Sequence, residues 1–117
     1  MRQLAAALTP EARFGKQSAD KPSQSKMLNR ITVRYEGRVQ GVGFRFTVVR
    51  LAQELDVTGW VKNEFDGRVS MVAEGEEEEL MALVQSVQNS HLGRYIKQEL
   101  IRRSTATGEF VTFGIAY

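Results

Sequence analysis

The sequence of 117 residues is 42% hydrophobic and 26% charged and contains no cysteine. This composition is typical of a soluble globular chain with a single core, and the lack of cysteine excludes disulfides, thiolate metal sites and a cysteine nucleophile. No apolar stretch approaches the ~20 residues that cross a bilayer, and the N-terminal segment LAAAL is too short for a signal peptide.

The positive charge of the chain is concentrated at its N-terminus. Residues 1–30 hold six Lys/Arg and two Asp/Glu, so residues 31–117 hold the remaining ten basic and twelve acidic residues. The part of the chain with the denser apolar pattern is therefore slightly acidic, although the whole chain has a formal charge of +2. This distribution argues against a polyanion such as a nucleic acid as the partner of the domain.

Residues 1–27 are predicted to be a disordered N-terminal extension, and residues 28–117 to be the folded domain. The segment GKQSADKPSQSK (15–26) has almost no apolar surface to bury, and a helix in the preceding residues would be interrupted near Pro10. The segment is interpreted as an extension without a specific role, or as sequence ahead of a true start at Met27. A targeting or docking role remains the alternative.

The first half of the domain reads as strand, loop, helix and hairpin. Alternating apolar residues from Ile31 to Tyr35 predict a half-buried strand, and a glycine-containing loop follows. Apolar residues then recur at helical spacing, at Phe44, Val48, Leu51, Ala52 and Leu55. The segment VTGWVKN (57–63) predicts a second strand, and Asp66-Gly67 predicts a type I′ turn into a returning strand that carries Val69, Met71 and Ala73.

The second half predicts a helix and two more strands. Glutamates at 76–79 suit the first turn of a helix, where the macrodipole favours negative charge, and Leu80, Leu83, Val84 and Val87 form its apolar face. A stop at Asn89-Ser90, a strand at 94–103, a loop at 104–109 and a final strand at 110–117 complete the chain. The predicted fold class is α+β, a ferredoxin-like split β-α-β sandwich with βαββαβ order plus a short C-terminal strand. We expect an antiparallel sheet with two helices on one face.

The loop between the first strand and the first helix has the composition of an anion-binding site. In EGRVQGVGFR (36–45), glycines let successive N–H groups turn to one side as a concave nest, and the N-terminus of the helix adds its positive end. Arg45 adds a planar donor fork that matches phosphate oxygens. Phe46 stands where a dinucleotide fingerprint needs its third glycine, and no P-loop lysine follows. On this pattern alone, phosphate capture and a tight turn with a surface arginine both stay open.

The order of several short motifs resembles the acylphosphatase family. GRVQGVGFR (37–45) is followed by GWVKN (59–63), DGRV (66–69) and AEG (73–75), and the resemblance runs from about Ile31 to Tyr117. The chain departs from the family in its N-terminal extension and in NSHLGRYI (89–96), where the family often has a Gly-Pro element. Neither departure touches the two main motifs.

The resemblance implies hydrolysis of carboxyl–phosphate mixed anhydrides to a carboxylate and inorganic phosphate. It implies that Arg45 and Asn63 are the catalytic residues, with Asn63 positioning the attacking water. The phosphate-binding residues would be Arg45 and the loop amides of Gln40, Gly41, Val42, Gly43 and Phe44. We expect a monomeric, cytoplasmic enzyme that acts on a small-molecule acyl phosphate with no cofactor or metal and with no nucleic-acid or membrane partner.

Two other functions fit parts of the sequence. One is a non-catalytic or regulatory module of the same fold that binds phosphate or acyl phosphate. The other is an RNA-binding module with the same split β-α-β plan, which would need stacking aromatics on its central strands and a basic face. The slightly acidic balance of the domain disfavours the second.

The remaining conspicuous residues are interpreted as structural. His91, the single histidine, is expected on the surface, and Trp60 and Tyr35 are expected in the core or on a sheet face. The glutamates from Glu74 to Glu79 are interpreted as a solvated helix start instead of a metal site, because consecutive positions diverge around a helix. Arg102-Arg103 is expected to point to both faces of a strand.

Overall fold

Strand and helix alternate in the order that the apolar periodicity predicts. The computed structural model describes residues 28–117, so the expectations for residues 1–27 lie outside the described residues. The elements are β1 (Asn29–Gly37), α1 (Phe44–Ala52), β2 (Val57–Asn63), β3 (Val69–Gly75), α2 (Glu77–Asn89), a 3₁₀ helix (His91–Tyr95), β4 (Ile96–Thr105) and β5 (Phe113–Ala116). The predicted βαββαβ order with a terminal strand is confirmed. Between residues 28 and 117, no helix is long and apolar enough to cross a membrane.

The five strands form one mixed sheet in the order β4-β1-β3-β2-β5. The prediction of an antiparallel sheet is correct for β4, β1, β3 and β2, but it is wrong for β5, which runs parallel to β2. The reason is topological. β4 and β5 occupy opposite edges of the sheet, and β4 is antiparallel to β1. A chain that crosses the sheet and reverses after β4 therefore arrives beside β2 in the same direction as β2.

The core lies between one face of the sheet and the two helices, as predicted. Strand residues of one parity are buried there, in rows such as Val33, Met71 and Val61 across β1, β3 and β2. The helices contribute the other half of the cluster, with Phe44, Val48, Ala52, Leu80, Leu83, Val84 and Val87. This burial of about a dozen aliphatic side chains, each worth on the order of 2 kcal/mol, is the main stabilising term of the fold.

The hairpin between β2 and β3 is present, but its turn is centred one residue earlier than predicted. The Gly67 N–H donates to the Glu64 carbonyl at 3.2 Å, which makes Phe65 and Asp66 the central pair. The Glu64 N–H donates to the Arg68 carbonyl at 2.8 Å and closes the hairpin. Gly67 follows the central pair and has a φ of +94°, a backbone conformation that favours glycine. This is the arrangement of a three-residue hairpin loop.

Several element ends differ from the sequence-based expectation. α1 ends at Ala52, before Leu55, and β4 begins at Ile96 because the preceding residues form the 3₁₀ helix. Ser90 terminates α2 and starts that 3₁₀ helix, since its hydroxyl oxygen accepts from the Leu92 N–H at 3.1 Å. His91 is exposed, as predicted.

Glu74 corrects the interpretation of the glutamate cluster. Glu77, Glu78 and Glu79 do occupy the first turn of α2, but Glu74 belongs to β3 and is only 4% exposed. Its carboxylate accepts from the Arg30 guanidinium at 2.8 Å and from the Thr107 and Gly108 N–H groups at 2.9 and 3.0 Å. It is therefore a buried anchor between the sheet and the β4–β5 connection. Alternation along β3 places it on the face away from the helices, where that connection crosses.

Candidate active site

The loop before α1 has the backbone conformation of an anion-binding nest. Gly41 and Gly43 have φ angles of +81° and +77°, in the left-handed region, and Gly43 is the residue that caps α1. A Cβ at either position would meet no heavy atom within 4 Å, so glycine is required there by backbone conformation and not by space. Residues of alternating handedness turn successive N–H groups towards a common concavity.

Several amide groups of this loop are free to bind a ligand. The Thr47 N–H bonds back to the Gly43 carbonyl at 3.0 Å and starts the helical hydrogen bonding. Within residues 28–117, the N–H groups of the loop residues donate no hydrogen bond, namely those of Gln40, Gly41, Val42, Gly43 and Phe44. Unpaired amides at a helix N-terminus, together with the positive end of the helix dipole, form a site that favours anions.

Arg45 is the cation of the site. It is the second residue of α1, it is partly exposed, and its guanidinium carbon lies 5.4 Å from the centre of the Tyr117 ring. No carboxylate in the described part of the chain forms an ion pair with it, whereas Arg30, Arg68 and Arg103 are all paired. Its positive charge therefore remains available to an external anion.

Asn63 ends β2 at a position where the strand pattern calls for an apolar residue. It pairs with Val69 across the hairpin and follows Val61 with the period of two that marks one face of a strand, so it lies in line with the core. Its Oδ1 atom is buried and, among the described residues, has no hydrogen-bond partner. A buried oxygen without a partner costs about 1–3 kcal/mol, and such groups are found at sites that bind water or substrate.

These elements meet at one pocket of about 170 Å³. It is smaller than the ~300–1,000 Å³ of sites for drug-sized ligands, and its volume suits a group the size of phosphate. Its lining residues come from the loop, from the start of α1 and from the ends of β2 and β5, and they are Val39, Gly41, Gly43, Phe44, Arg45, Phe46, Asn63 and Ile115.

The structure thus brings together most of the residues singled out from the sequence. Gly41, Gly43, Phe44, Arg45 and Asn63 line the pocket, whereas the Gln40 side chain turns to the β2–β3 hairpin and the Val42 side chain packs on the core.

Three lining residues were not predicted from the sequence, namely Val39, Phe46 and Ile115. Val39 lies inside the loop motif GRVQGVGFR (37–45) and Phe46 directly follows it. Their closeness in sequence to the predicted site residues could have identified both as lining residues. Ile115 reaches the pocket only because β5 pairs with β2, opposite Val61, and this pairing has no signal in the local sequence.

A metal centre finds no support in the described part of the chain. Among residues 28–117, no three His, Cys, Asp or Glu side chains are grouped so that they could hold a metal ion. The pocket itself is lined by no carboxylate. The positive charge at the site comes from Arg45 and from the loop amides.

Comparisons of the sequence and of the fold with known proteins agree on one family. A family model described as Acylphosphatase matches residues 31–115. The acylphosphatase of Methylococcus capsulatus is 40% identical over 88 residues, which cover 75% of this chain and 96% of the relative. The crystal structure of acylphosphatase from Bacillus subtilis has a TM-score of 0.71 at 36% identity and matches 76% of this chain and 99% of that one. Full-length HypF, in a phosphate- and nucleotide-bound form, has a TM-score of 0.71 at 27% identity, over 79% of this chain but 12% of HypF.

Proposed function

The chain belongs to the acylphosphatase family and hydrolyses acyl phosphates, and we propose that Arg45, the loop amides and Asn63 perform this reaction without a metal. Family membership is shown by the match over residues 31–115 and by relatives that align over nearly their full length. The observation that carries the proposed mechanism is the meeting of an unpaired guanidinium, free loop amides and the Asn63 side chain at one pocket, with no partner for the buried Asn63 Oδ1 among the described residues.

The phosphoryl group binds at the N-terminus of α1. Its nonbridging oxygens accept from the Arg45 fork and from the free N–H groups of Gln40, Gly41, Val42, Gly43 and Phe44. These donors are fixed before the substrate arrives, so they stabilise the charge of the transition state without reorganisation. Phosphoryl transfer depends mainly on such positioning and charge stabilisation.

Asn63 positions the attacking water. An amide oxygen accepts a hydrogen bond but does not take up a proton at neutral pH, so Asn63 orients the water and does not act as a general base. The water oxygen forms a bond to phosphorus while the bond between phosphorus and the acyl oxygen breaks. The electron pair of the broken bond leaves with the carboxylate, and the proton of the water is released to phosphate or solvent.

The leaving group explains why so few residues suffice. A carboxylate has a pKa of about 4, so it departs as a stable anion and needs no general acid. The same site should be poor with phosphate esters, because an alkoxide is a far more basic leaving group.

The alternative is a module that binds phosphate or acyl phosphate without turning it over, and the similarity to a part of phosphate-bound HypF is compatible with either function. Such a module would use the same loop and Arg45, but it would not need Asn63 to place water. The two functions therefore differ in turnover and not in phosphate binding.

We also propose that the protein is a monomer in the cytoplasm, with a small-molecule acyl phosphate as substrate and without a nucleic-acid or membrane partner. The lack of cysteine fits a reducing compartment without requiring one. The slightly acidic balance of residues 31–117 disfavours nucleic acid.

Release of inorganic phosphate from acetyl and benzoyl phosphate tests the proposal. We expect turnover of both substrates, little or none of glycerol phosphate, and the same rates after exhaustive treatment with a metal chelator. Phosphate binding measured by calorimetry without turnover would instead support the binding module. Loss of turnover in chelator, with recovery on adding Mg²⁺ or Zn²⁺, would refute the metal-free mechanism.

A further inference from the structure

The Gln40 side chain joins the phosphate loop to the hairpin that carries Asn63. Its Nε2 group donates to two backbone carbonyls, that of Glu64 at 2.7 Å and that of Arg68 at 2.9 Å. These carbonyls lie at the two ends of the turn between β2 and β3, and Glu64 directly follows Asn63. Both hydrogens of the side-chain amide are thereby used on the hairpin.

One further contact reaches this hairpin, since Arg68 Nε lies 3.3 Å from Glu36 Oε2 at the end of β1. The anchors of residues 38–44 other than Gln40 lead to different parts of the molecule. Val39 and Phe44 are buried in the core, and the Arg38 N–H donates to the Tyr95 carbonyl at 3.0 Å. Within residues 28–117, no further side-chain hydrogen bond joins residues 38–43 to residues 63–69. Among residues 38–43, Gln40 is therefore the residue whose side chain links the phosphate cradle, formed by the amides of residues 40–44 and Arg45, to the end of β2.

We propose that Gln40 is a positioning residue that sets the distance between the phosphate cradle and the Asn63 amide. This inference rests on the proposed function, in which the loop holds phosphate and Asn63 places water. Attack in line with the leaving group tolerates little error, since a displacement of ~1 Å can lower the rate by ~10²-fold. Loss of the Gln40 bonds therefore disturbs the placement of water while leaving the loop amides and Arg45 able to bind phosphate.

A double-mutant cycle between Gln40 and Asn63 tests the proposal. Gln40→Met keeps the length of the side chain but removes both donors, and we expect kcat to fall about ten-fold with phosphate inhibition changed by less than about three-fold. In the Asn63→Ala background the same Gln40→Met change should lower kcat by less than about two-fold, because there is no longer an Asn63 amide to position. Gln40→Asn, which is too short to reach both carbonyls, should behave like Gln40→Met and serves as a second variant.

Asp66→Ala is the matched control for loosening of the hairpin. Its Oδ1 accepts from the Arg68 N–H at 3.1 Å, so this change weakens the same turn without touching the loop. We expect its kcat to remain within about two-fold of wild type. An equal loss of kcat from Gln40→Met in both backgrounds, or a parallel loss of phosphate affinity, would overturn the positioning role. Failure of the proposed function is separately visible, since the wild type would then release no phosphate, and a wild-type kcat in Asn63→Ala alone would refute the placement of water by Asn63.

A second observation concerns the acyl group and is independent of Gln40. Phe46 lines the pocket beside Arg45, yet 71% of its surface is exposed. The remaining apolar lining residues, Val39, Phe44 and Ile115, lie in the same pocket. An acyl group that extends from the bound phosphoryl group on this side would cover the Phe46 ring and remove apolar surface from water.

We infer that Phe46 selects substrates with an apolar, preferably aromatic, acyl group. This inference also rests on the proposed function, and it predicts that benzoyl phosphate has a higher kcat/KM than acetyl phosphate. Phe46→Ala should reduce that ratio by about five- to ten-fold while the inhibition constant of inorganic phosphate stays unchanged.

Phe65 provides the matched control for Phe46. It is a fully exposed phenylalanine two residues after Asn63, but it does not line the pocket. Phe65→Ala should leave the ratio of the two substrates at the wild-type value. An unchanged ratio in Phe46→Ala, or an equal fall in Phe65→Ala, would overturn the role of Phe46. Turnover of acetyl phosphate by the wild type would still support the proposed function in that case.

Discussion

At the scale of single residues, Arg45 has no carboxylate partner in the described part of the chain, unlike Arg30 and Arg103. Arg30 and Arg103 each approach a glutamate within 2.8 Å, whereas Arg45 has only the Tyr117 ring as a neighbour of its charge in the described part of the chain. An unpaired guanidinium beside free amides is suited to an anion that arrives from solution. The resemblance to the acylphosphatase family predicted this role, whereas the position of Arg45 in the first turn of α1 by itself left a surface arginine open.

Arg45→Lys should both raise KM and lower kcat for benzoyl phosphate, each by about ten-fold or more. A lysine ammonium keeps the charge but cannot reproduce the planar fork that donates two hydrogen bonds to one phosphoryl group. Steady-state kinetics with phosphate as a competitive inhibitor give both effects. An unchanged KM would mean that Arg45 does not hold the ground-state phosphate, and the variant should keep the thermal stability of the wild type.

Asn63→Ala should lower kcat by ~10²-fold or more while leaving phosphate inhibition almost intact, the scale expected for loss of one preorganised polar group. The reason is that the phosphate is held by the loop and Arg45 and not by the end of β2. The variant should also remain folded, since it removes an unpaired buried oxygen and not a satisfied one. If phosphate affinity were lost while kcat was preserved, Asn63 would be a binding residue instead of a water-positioning one.

At the scale of elements, Glu74 connects β3 to β1 and to the connection that carries the chain to β5. Burial on its own would raise the pKa of the Glu74 carboxyl, but hydrogen bonds from the Thr107 N–H, from Arg30 and from the Gly108 N–H outweigh it and lower the pKa to about 2. The connection determines where β5 lies, and β5 supplies Ile115 to the pocket. A contact on the far face of the sheet therefore contributes to the shape of the site.

The low pKa of Glu74 predicts a dependence of stability on acid. A carboxyl with a lowered pKa in the folded state stabilises fully above its ordinary pKa of 4.5, and this contribution is lost as the pH falls towards about 2. The loss amounts to roughly 3 kcal/mol at 1.36 kcal/mol per pKa unit. The free energy of unfolding, measured with denaturant at pH values between 6 and 2, should fall by this amount in the wild type and by much less in Glu74→Gln.

Glu77→Gln is the control for that experiment. Arg103 approaches Glu77 within the same 2.8 Å, but both side chains are about half exposed. Solvent screens such a pair, so its removal should change stability much less than removal of the buried Glu74 carboxylate. Equal effects of the two substitutions would show that burial does not decide the strength of these ion pairs.

At the scale of the whole molecule, the N-terminal segment should be dispensable. The sequence of residues 15–26 offers little apolar surface to bury, and the five strands and the pocket described above lie within residues 28–117. Deletion of residues 1–26 should therefore leave kcat/KM and Tm essentially unchanged. A fall of several degrees in the Tm of the shortened chain would show that the segment packs on the domain.

The sequence by itself determined the order and type of the elements. Apolar alternation marked the strands and helical spacing marked α1 and α2, and these predictions are confirmed because side-chain periodicity and backbone preference are local properties. The glycines before Arg45 marked the loop with positive φ angles, and its role in anion binding stays a prediction. The ends of elements were less accurate, as at Leu55 and Arg94, because short-range hydrogen bonds such as those of Ser90 decide them.

Only the tertiary structure decided the features that depend on distant pairing. The parallel placement of β5, the buried contacts of Glu74 and the bonds from Gln40 to the hairpin join residues 24 or more positions apart. Each is fixed by the order in which strands assemble in the sheet, and no local pattern encodes that order. The same assembly brings Asn63 to the N-terminus of α1, where a polar residue at the end of a core-facing row lines the pocket.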